Sequence, residues 1–256
     1  MRIDTLGCDG GIGGERRTTC YLVNQNILID AGSGIMDLDL CDLNHIDHIF
    51  LTHSHFDHIL GIPLLADCVH KNRLTPITVY ALAETLASLK EHIFNWQIWP
   101  DFSALPNPEQ PVLRFQPLSI AETVAIGEIK ITALPVNHVV PAVGYSIVSP
   151  QSSVAISGDT SSCDEFWLHL NRMPNLDSLI LETSFPNSQQ ALAMLSKHFC
   201  PSLLRSDLAL LQHKPKIFIS HLKPGFEATI MGEIMAACTD LDLCIQPLLN
   251  RHCVCF

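Results

Sequence analysis

The sequence predicts an α/β fold, and three observations support that prediction. The chain has 256 residues, of which 47% are apolar, so it can bury a sizeable core. Short apolar runs that indicate buried strands alternate with longer segments that indicate helices. Several of the predicted strands end in a histidine, an aspartate or a glutamate. Because no internal repeat or low-complexity tract is visible, we predict one domain that spans residues 1–256.

The predicted elements begin with a strand, a glycine-rich loop and a hairpin that turns at residues 24–26. The glycine-rich loop lacks the spacing of a dinucleotide site and the Gly-Lys-Ser/Thr of a P-loop. Residues 101–111 are predicted to be a loop, and residues 112–134 alternate in the manner of antiparallel strands. Helices are predicted at residues 62–72, 82–94 and in a region that reaches about residue 212. Further strands are predicted at residues 2–7, 20–23, 26–30, 48–51, 77–81, 144–148, 153–157, 176–181 and 216–221.

The composition excludes two broad classes of partner. A net charge of −11 argues against a nucleic-acid surface, since binding to a phosphate backbone requires clustered lysine and arginine. A small phosphate substrate stays possible, because metal ions can supply local positive charge. No window approaches the roughly 18 uninterrupted apolar residues of a membrane span, and the amino terminus has no apolar signal region. The ten cysteines include no C-x-x-C pair, so we expect reduced thiols in a cytoplasmic protein.

Residues 52–58 carry the strongest chemical signal in the chain. They follow a buried strand and precede a predicted helix, and they hold His53, His55, Asp57 and His58. Residues two apart in an extended segment point the same way, so His53 and His55 can reach one point together. Asp57 and His58 then face a second point, where the chain turns into helix. Imidazole and carboxylate are the ligands that borderline divalent metals prefer, so the stretch predicts a metal site.

This stretch resembles the His-x-His-x-Asp-His signature of the metallo-β-lactamase superfamily. That resemblance implies a four-layer αββα sandwich with one or two metals between the sheets. It also implies further ligands at the ends of later strands, where this chain has His138, Asp159 and His221. The first ion would be held by His53, His55 and His138. The second would be held by Asp57, His58 and His221, with Asp159 as the bridge. Asp30 matches an Asp-x-Gly turn and is expected to support a ligand histidine rather than bind metal.

Further stretches resemble a narrower family, the class II cyclic-nucleotide phosphodiesterases. They are residues 58–62, 92–95, 98–100, 182–187, 197–201 and 221–224. The resemblance implies hydrolysis of 3′,5′-cyclic AMP or GMP to the 5′-nucleotide. Two divalent ions, zinc or alternatively manganese, would share a hydroxide that attacks phosphorus, with Asp57 and Asp159 as the catalytic carboxylates. We expect a homodimer that takes a small cyclic nucleotide and neither a nucleic acid nor a membrane.

Candidate substrate contacts lie in two other regions. An aromatic segment could stack on a base, although it could equally belong to the core. Its members are Phe94, Asn95, Trp96 and Trp99. Arg16 and Arg17, which close the glycine-rich loop, could meet the phosphate, and Glu182 could contact the substrate. The general acid is not identified from the sequence. Glu182 and His252 are candidates for that role.

Three other functions stay open at this point. A transfer-RNA 3′ processing nuclease has the same metal ligands, but it needs a basic flexible arm that this acidic chain lacks. A lactonase or thioester hydrolase shares the metal set, and the narrower resemblance argues against it. A sensor that binds a nucleotide without turnover is the alternative outside the enzymes. The intact ligand set disfavours the sensor.

Overall fold

A computed structural model describes residues 1–251 and 253–255, and it contains two seven-stranded β-sheets that pack face to face. In chain order the strands are β1 (Arg2–Gly7), β2 (Cys20–Val23), β3 (Ile27–Ile29), β4 (His48–Phe50), β5 (Ile77–Leu82), β6 (Leu113–Leu118), β7 (Thr123–Ile126), β8 (Ile129–Pro135), β9 (Val143–Val148), β10 (Ser153–Ile156), β11 (Ser178–Glu182), β12 (Lys216–Ser220), β13 (Cys244–Pro247) and β14 (Cys253–Cys255). The first sheet has the order β14-β1-β2-β3-β4-β5-β6, and the second has the order β13-β12-β11-β10-β9-β8-β7.

Helices cover the outer face of each sheet. In chain order they are α1 (Leu40–His45), α2 (Phe56–Ile59), α3 (Gly61–Val69), α4 (Ala83–His92), α5 (Asp164–Arg172), α6 (Gln190–Ser196), α7 (Pro201–Leu208) and α8 (Glu227–Ala237). Two short 3₁₀ segments lie at Ser33–Asp37 and Asn187–Gln189. No helix in the described part of the chain is both long and apolar enough to cross a membrane.

The buried apolar residues form three layers of packing. One cluster lies between the sheets and contains Ile29 and Phe50 of the first sheet with Tyr145 and Ile156 of the second. A second joins the first sheet to α3 and α4, and a third joins the second sheet to α5, α7 and α8. Each sheet is therefore covered by the other sheet on one face and by helices on the other face. This arrangement confirms the predicted four-layer αββα sandwich.

Each sheet combines antiparallel and parallel pairs. Strands β1 to β3 pair antiparallel, and β3 to β6 pair parallel. Strands β7 to β10 pair antiparallel, and β10 to β13 pair parallel. The prediction that residues 112–134 form antiparallel strands is wrong for β6, which pairs parallel with β5 in the first sheet. An edge strand with one exposed face also alternates, so the sequence pattern could not distinguish these two pairings.

Most predicted elements are present, with boundaries that shift by a few residues. The helix predicted at residues 62–72 begins at Gly61 and ends at Val69, and the one predicted at 82–94 ends at His92. The strands that end near the candidate ligands all run in one direction, because β8 and β10 are separated by one antiparallel neighbour and β10 to β12 are parallel. The segments that follow β8, β10, β11 and β12 therefore meet at one edge of the second sheet. The end of β4 faces them from the first sheet.

Candidate metal centre

The first half of the centre comes from the turn between β4 and α2. His53 and His58 are completely buried there, and the side chain of Asp57 keeps 33% exposure. The His53 and His58 ring centroids lie 4.3 Å apart, and those of His53 and His55 lie 4.6 Å apart. The chain is extended at His55, which precedes α2, and helical from Phe56 onward. The predicted division of the motif into an extended pair and a helical pair is therefore present.

Asp30 supports this turn from beneath. Its carboxylate is completely buried, and it accepts hydrogen bonds from the Thr52 backbone N–H at 2.8 Å and from the Thr52 hydroxyl at 2.8 Å. It also lies 2.7 Å from His58 Nδ1. The predicted contact between Asp30 and a candidate ligand histidine is therefore present, and metal binding by His58 stays a prediction. Asp30 adopts a positive φ of 56°, a left-handed conformation that aspartate tolerates better than most residues.

The second half of the centre comes from three loops of the other sheet. Asp159 follows β10, and its Oδ2 lies 3.4 Å from His58 Nε2, 3.4 Å from His221 Nε2 and 3.7 Å from His53 Nε2. His138 follows β8, and its Nε2 lies 3.2 Å from His55 Nδ1. All of these contacts except the one between Asp159 and His221 cross from one sheet to the other. Asp159 consequently stands between the two groups of histidines, in the position expected of a bridge.

Two backbone features hold these loops against the motif. Gly158 adopts a φ of +60°, and a Cβ there would lie 2.9 Å from the Thr52 side chain, so only glycine fits the close approach of the two sheets. His221 has a φ of 59° although it is not a glycine, and its backbone N–H donates to the Cys8 carbonyl at 2.6 Å. A non-glycine residue in this region costs about 1–3 kcal/mol, and such strain is concentrated at functional sites.

The hydrogen-bond partners of His53, His58 and His138 show which ring nitrogen of each carries a hydrogen. Thr52 donates its only hydroxyl hydrogen to Asp30, so at 3.0 Å it must accept from His53 Nδ1. His58 Nδ1 meets the Asp30 carboxylate, and His138 Nδ1 meets a backbone carbonyl at 3.1 Å. In all three rings Nδ1 therefore carries a hydrogen, and Nε2 is the nitrogen that faces the centre.

Several observations fit these residues to divalent metal ions. Within the described residues, His53 Nε2 and His58 Nε2 are buried and have no hydrogen-bond partner, although both point towards Asp159. A buried polar atom without a partner is costly unless something binds it. Potential ligand atoms lie within 4.8 Å of one another in three overlapping groups. The groups are His53, His55, His138 and Asp159; Asp57, His58 and His221; and Asp159, His198 and His221.

The electrostatics also favour metal binding. Burial lowers the pKa of His53, His55 and His138, so these rings are neutral near pH 7 and can donate a lone pair. Burial by itself raises the pKa of Asp159, but the neighbouring His221 and His58 outweigh burial and hold it well below its usual range. Asp159 is therefore an anion at neutral pH. Burial lowers the pKa of His58, but the Asp159 and Asp30 carboxylates outweigh burial and raise it, so a bound ion would displace a proton from that ring. Imidazoles around a buried carboxylate form a donor set of the kind that zinc and manganese accept.

The sequence interpretation missed His198, which lies at the edge of the centre. Its ring centroid is 5.0 Å from that of His138 and 5.4 Å from that of His221. Its Nδ1 is 2.7 Å from Glu182 Oε1, so Nε2 is the nitrogen left for a ligand. Burial lowers the pKa of His198, but the Glu182 carboxylate outweighs burial and the net effect is to raise it. The sequence signal for this histidine is the family resemblance of residues 197–201, which does not by itself assign His198 a role.

Glu182 and Ser184 connect His198 to His221. Glu182 is 1% exposed, and its carboxylate accepts from the Thr160 N–H at 3.0 Å and from the Ser184 hydroxyl at 3.1 Å. Ser184 therefore accepts from His221 Nδ1 at 2.9 Å, which leaves His221 Nε2 for the centre. The oxygens of Glu182 meet protein donors, so its influence on a substrate would act through His198. The other general-acid candidate, His252, lies outside the described residues.

The predicted aromatic segment is divided between the core and the surface. Phe94 is 2% exposed and belongs to the cluster beneath the first sheet, and Trp99 packs against the same cluster. Asn95 Oδ1 accepts from the backbone N–H groups of residues 97 and 98 and so shapes the loop. Trp96 is 63% exposed. The aromatic ring in contact with the centre is instead Phe185, whose centroid lies 5.7 Å from that of His198.

The two predicted arginines pair with acidic side chains. Arg16 Nε lies 2.7 Å from Glu227, and Arg17 lies 3.0 Å from Asp37. The glycine-rich loop itself reaches the centre, because a Cβ on Gly10 would lie 2.5 Å from the His221 carbonyl. The loop therefore forms a wall beside the second ligand group, and contact of either arginine with a substrate stays a prediction.

Comparison with known proteins agrees with this geometry. A family model described as the Beta-lactamase superfamily domain matches residues 25–241. A probable 3′,5′-cyclic-nucleotide phosphodiesterase of Yersinia pestis is 26% identical, over 89% of this chain and 79% of that protein. A ribonuclease Z of Clostridium beijerinckii is 30% identical, but the match covers 55% of this chain and 46% of that protein.

A solved structure, that of unliganded yeast PDE1, is similar across the whole fold. It superimposes with a TM-score of 0.81 at 19% identity, over 98% of each chain. The predicted resemblance is therefore confirmed by the family model, by a relative that bears the phosphodiesterase name and by the fold. The His-x-His-x-Asp-His turn, the four layers and the match over residues 25–241 lead to one conclusion: the chain belongs to the metallo-β-lactamase superfamily.

Proposed function

We propose that this protein is a metal-dependent phosphodiesterase that hydrolyses 3′,5′-cyclic nucleotides to 5′-nucleotides. The observation that carries the proposal is the combination of the buried donor set with a phosphodiesterase-named relative that aligns over 89% of the chain. The first ion would be held by His53, His55 and His138. The second would be held by Asp57, His58 and His221, with Asp159 between them.

Two divalent ions would supply positive charge for the phosphate oxygens and lower the pKa of a water molecule. The protein would orient four of the ligand rings, because the Nδ1 atoms of His53, His58, His138 and His221 each contact a protein oxygen. Asp57 differs from the other ligands, since a third of its side chain is exposed and its Oδ2 lies 3.4 Å from His221 Nε2. It is therefore the carboxylate best placed to orient an attacking water at the open side of the site.

The ribose oxygen that leaves phosphorus needs a proton, and His198 is the best-placed donor. Glu182 holds its Nδ1 hydrogen and favours the charged imidazolium, so Nε2 can release a proton towards the centre. When the bond between phosphorus and the 3′ oxygen breaks, that oxygen takes the proton from Nε2. His198 then becomes neutral and regains a proton from solvent. No covalent bond to the protein is required.

Processing of RNA is the second candidate, and the similarity to ribonuclease Z supports it. That similarity covers about half of each chain, and the net charge of −11 disfavours a long phosphate backbone. A lactone or thioester would not use the proton donor for a ribose leaving group. These substrates are therefore expected to react slowly or not at all.

Product analysis tests the proposal. Purified protein loaded with zinc or manganese is incubated with cyclic AMP, cyclic GMP, a linear dinucleotide, a precursor transfer RNA and a lactone. We expect 5′-AMP or 5′-GMP as the main product. Cleavage of the RNA without release of 5′-nucleotide would overturn the proposal, and binding without turnover would indicate a sensor. Elemental analysis should find about two ions per chain, and His221→Ala should lower the content to about one. The predicted homodimer is checked by measuring the mass in solution.

A further inference from the structure

Lys197 makes two contacts with the metal-ligand candidate His138, although the two residues are 59 positions apart. The Lys197 carbonyl accepts from His138 Nδ1 at 3.1 Å, and the Lys197 ammonium donates to the His138 carbonyl at 3.0 Å. The ring and the backbone of His138 are thus held by one residue. The first contact fixes the ring tautomer, which leaves His138 Nε2 available 3.2 Å from His55 Nδ1.

The backbone of Lys197 has an unusual conformation for a lysine. It follows the last residue of α6 with φ 52° and ψ 54°, which is the left-handed region. Glycine is the usual residue at this position after a helix, because it adopts the conformation without a steric penalty. A lysine here is disfavoured by its own backbone, so the side chain must provide something that glycine would lack. The contact between the Lys197 ammonium and the His138 carbonyl is the contribution that glycine could not make.

The same turn places His198 beside the centre. The His198 backbone N–H donates to the Ala193 carbonyl at 2.9 Å, which completes the end of α6. The ring of His198 then stands 5.0 Å from the ring of His138. A single left-handed residue therefore sets both the ligand and the ring next to it.

We propose that Lys197 is a positioning residue for the first metal site, and that its ammonium holds His138 in the geometry that binds the ion. The inference concerns the metal centre and does not depend on the identity of the substrate. Groups that orient a ligand histidine contribute about 10- to 100-fold in metal affinity. The effect should be confined to the first site, because the second donor group is Asp57, His58 and His221.

Two variants separate positioning from a merely structural role. Lys197→Gly removes the ammonium and relieves the left-handed backbone, whereas Lys197→Ala removes the ammonium and keeps the backbone penalty. We expect the metal-free Lys197→Gly protein to unfold at the wild-type temperature or above, and the Lys197→Ala protein to unfold below it. Both should bind zinc at the first site about 10-fold more weakly. Lys197→Arg, which restores a cation, should recover most of the affinity.

Matched controls come from other parts of the chain. Gln25→Gly relieves a positive φ of 71° at an exposed turn, so it should raise the unfolding temperature without altering zinc affinity. Lys71→Ala removes an exposed lysine charge without a contact to the centre. Zinc affinity is measured by stepwise competition with a chelator, and unfolding of the metal-free protein is followed by circular dichroism. The proposal is overturned if Lys197→Gly keeps wild-type affinity at the first site. Equal weakening of zinc binding at both sites would also overturn it. So would an unfolding temperature of the Lys197→Gly protein below that of the Lys197→Ala protein, because either result indicates a structural role.

Discussion

The two halves of the candidate metal centre are built in different ways. The half from the first sheet is one continuous turn, residues 52–58, and its ligands His53 and His58 are fully buried above Asp30. The half from the second sheet is assembled from the separate loops that carry His138, Asp159 and His221. Its supporting groups, Glu182 and Ser184 among them, come from yet another strand end.

The two halves differ in how their candidate ligands are supported. In the first half, one carboxylate receives three contacts, from the Thr52 backbone, the Thr52 hydroxyl and His58, so the loss of Asp30 disturbs the whole turn. In the second half, the two histidines have separate supports: Ser184 contacts His221, and Lys197 contacts His138. We therefore expect single changes in the supports of the second half to have smaller and more local effects.

The largest effect should follow removal of the residue that joins the two halves. Asp159→Ala deletes the carboxylate whose Oδ2 lies within 3.7 Å of three histidine nitrogens. We expect a loss of about 10³-fold in kcat, because the spacing and the charge of both sites depend on it. Arg17→Ala serves as the control and should lose much less. Near-full activity of the Asp159→Ala protein with both metals bound would show that the carboxylate does not bridge.

The next effect concerns proton donation from the second half. His198→Gln keeps a polar side chain of similar length but cannot supply the proton, so kcat for cyclic AMP should fall about 10²- to 10³-fold. A phosphodiester with a p-nitrophenolate leaving group needs no protonation and should lose far less. Equal losses on the two substrates, measured by steady-state kinetics at saturating metal, would assign His198 to structure or to metal binding instead.

The supports of the two halves can be compared directly. Asp30→Asn should weaken zinc binding about 100-fold, and Ser184→Ala about 10-fold, within the range known for groups that orient metal ligands. The Asp30 change should also lower the unfolding temperature, since three buried contacts are altered. Chelator competition and thermal unfolding provide the measurements. A larger loss of zinc affinity for Ser184→Ala than for Asp30→Asn would contradict the prediction that changes in the second half have the smaller effects.

The most selective effect, confined to KM for substrates that carry a base, should come from an aromatic ring that stacks on the nucleotide. If the exposed Trp96 stacks on the nucleotide, Trp96→Ala should raise KM for cyclic AMP about 5- to 150-fold and leave a small phosphodiester without a purine nearly unchanged. Phe185→Leu is the companion variant, because that ring touches His198. If only Phe185→Leu discriminates between the two substrates, the base lies over the second half of the centre and the prediction for Trp96 is wrong.

The sequence by itself determined the parts of this protein that are local. Residues 52–58 are contiguous, so their order along the chain was sufficient to predict a candidate metal site and a strand-to-helix turn. The buried strands were visible as apolar runs, and the candidate ligands His138, Asp159 and His221 were visible at strand ends once the superfamily resemblance was recognised. The role of Asp30 was also predicted from the superfamily resemblance, through its Asp-x-Gly turn.

Only the tertiary structure decided the contacts between distant segments. Glu182, Ser184, His198 and His221 form one hydrogen-bonded group although they come from three separate segments of the chain, and no spacing in the sequence predicts which of them meet. The aromatic segment shows the same limit, because composition cannot distinguish a buried Phe94 from an exposed Trp96. Side chains acquire these partners when parallel strands bring their carboxyl ends to one edge of a sheet. That alignment depends on packing across the whole domain, which a local pattern does not encode.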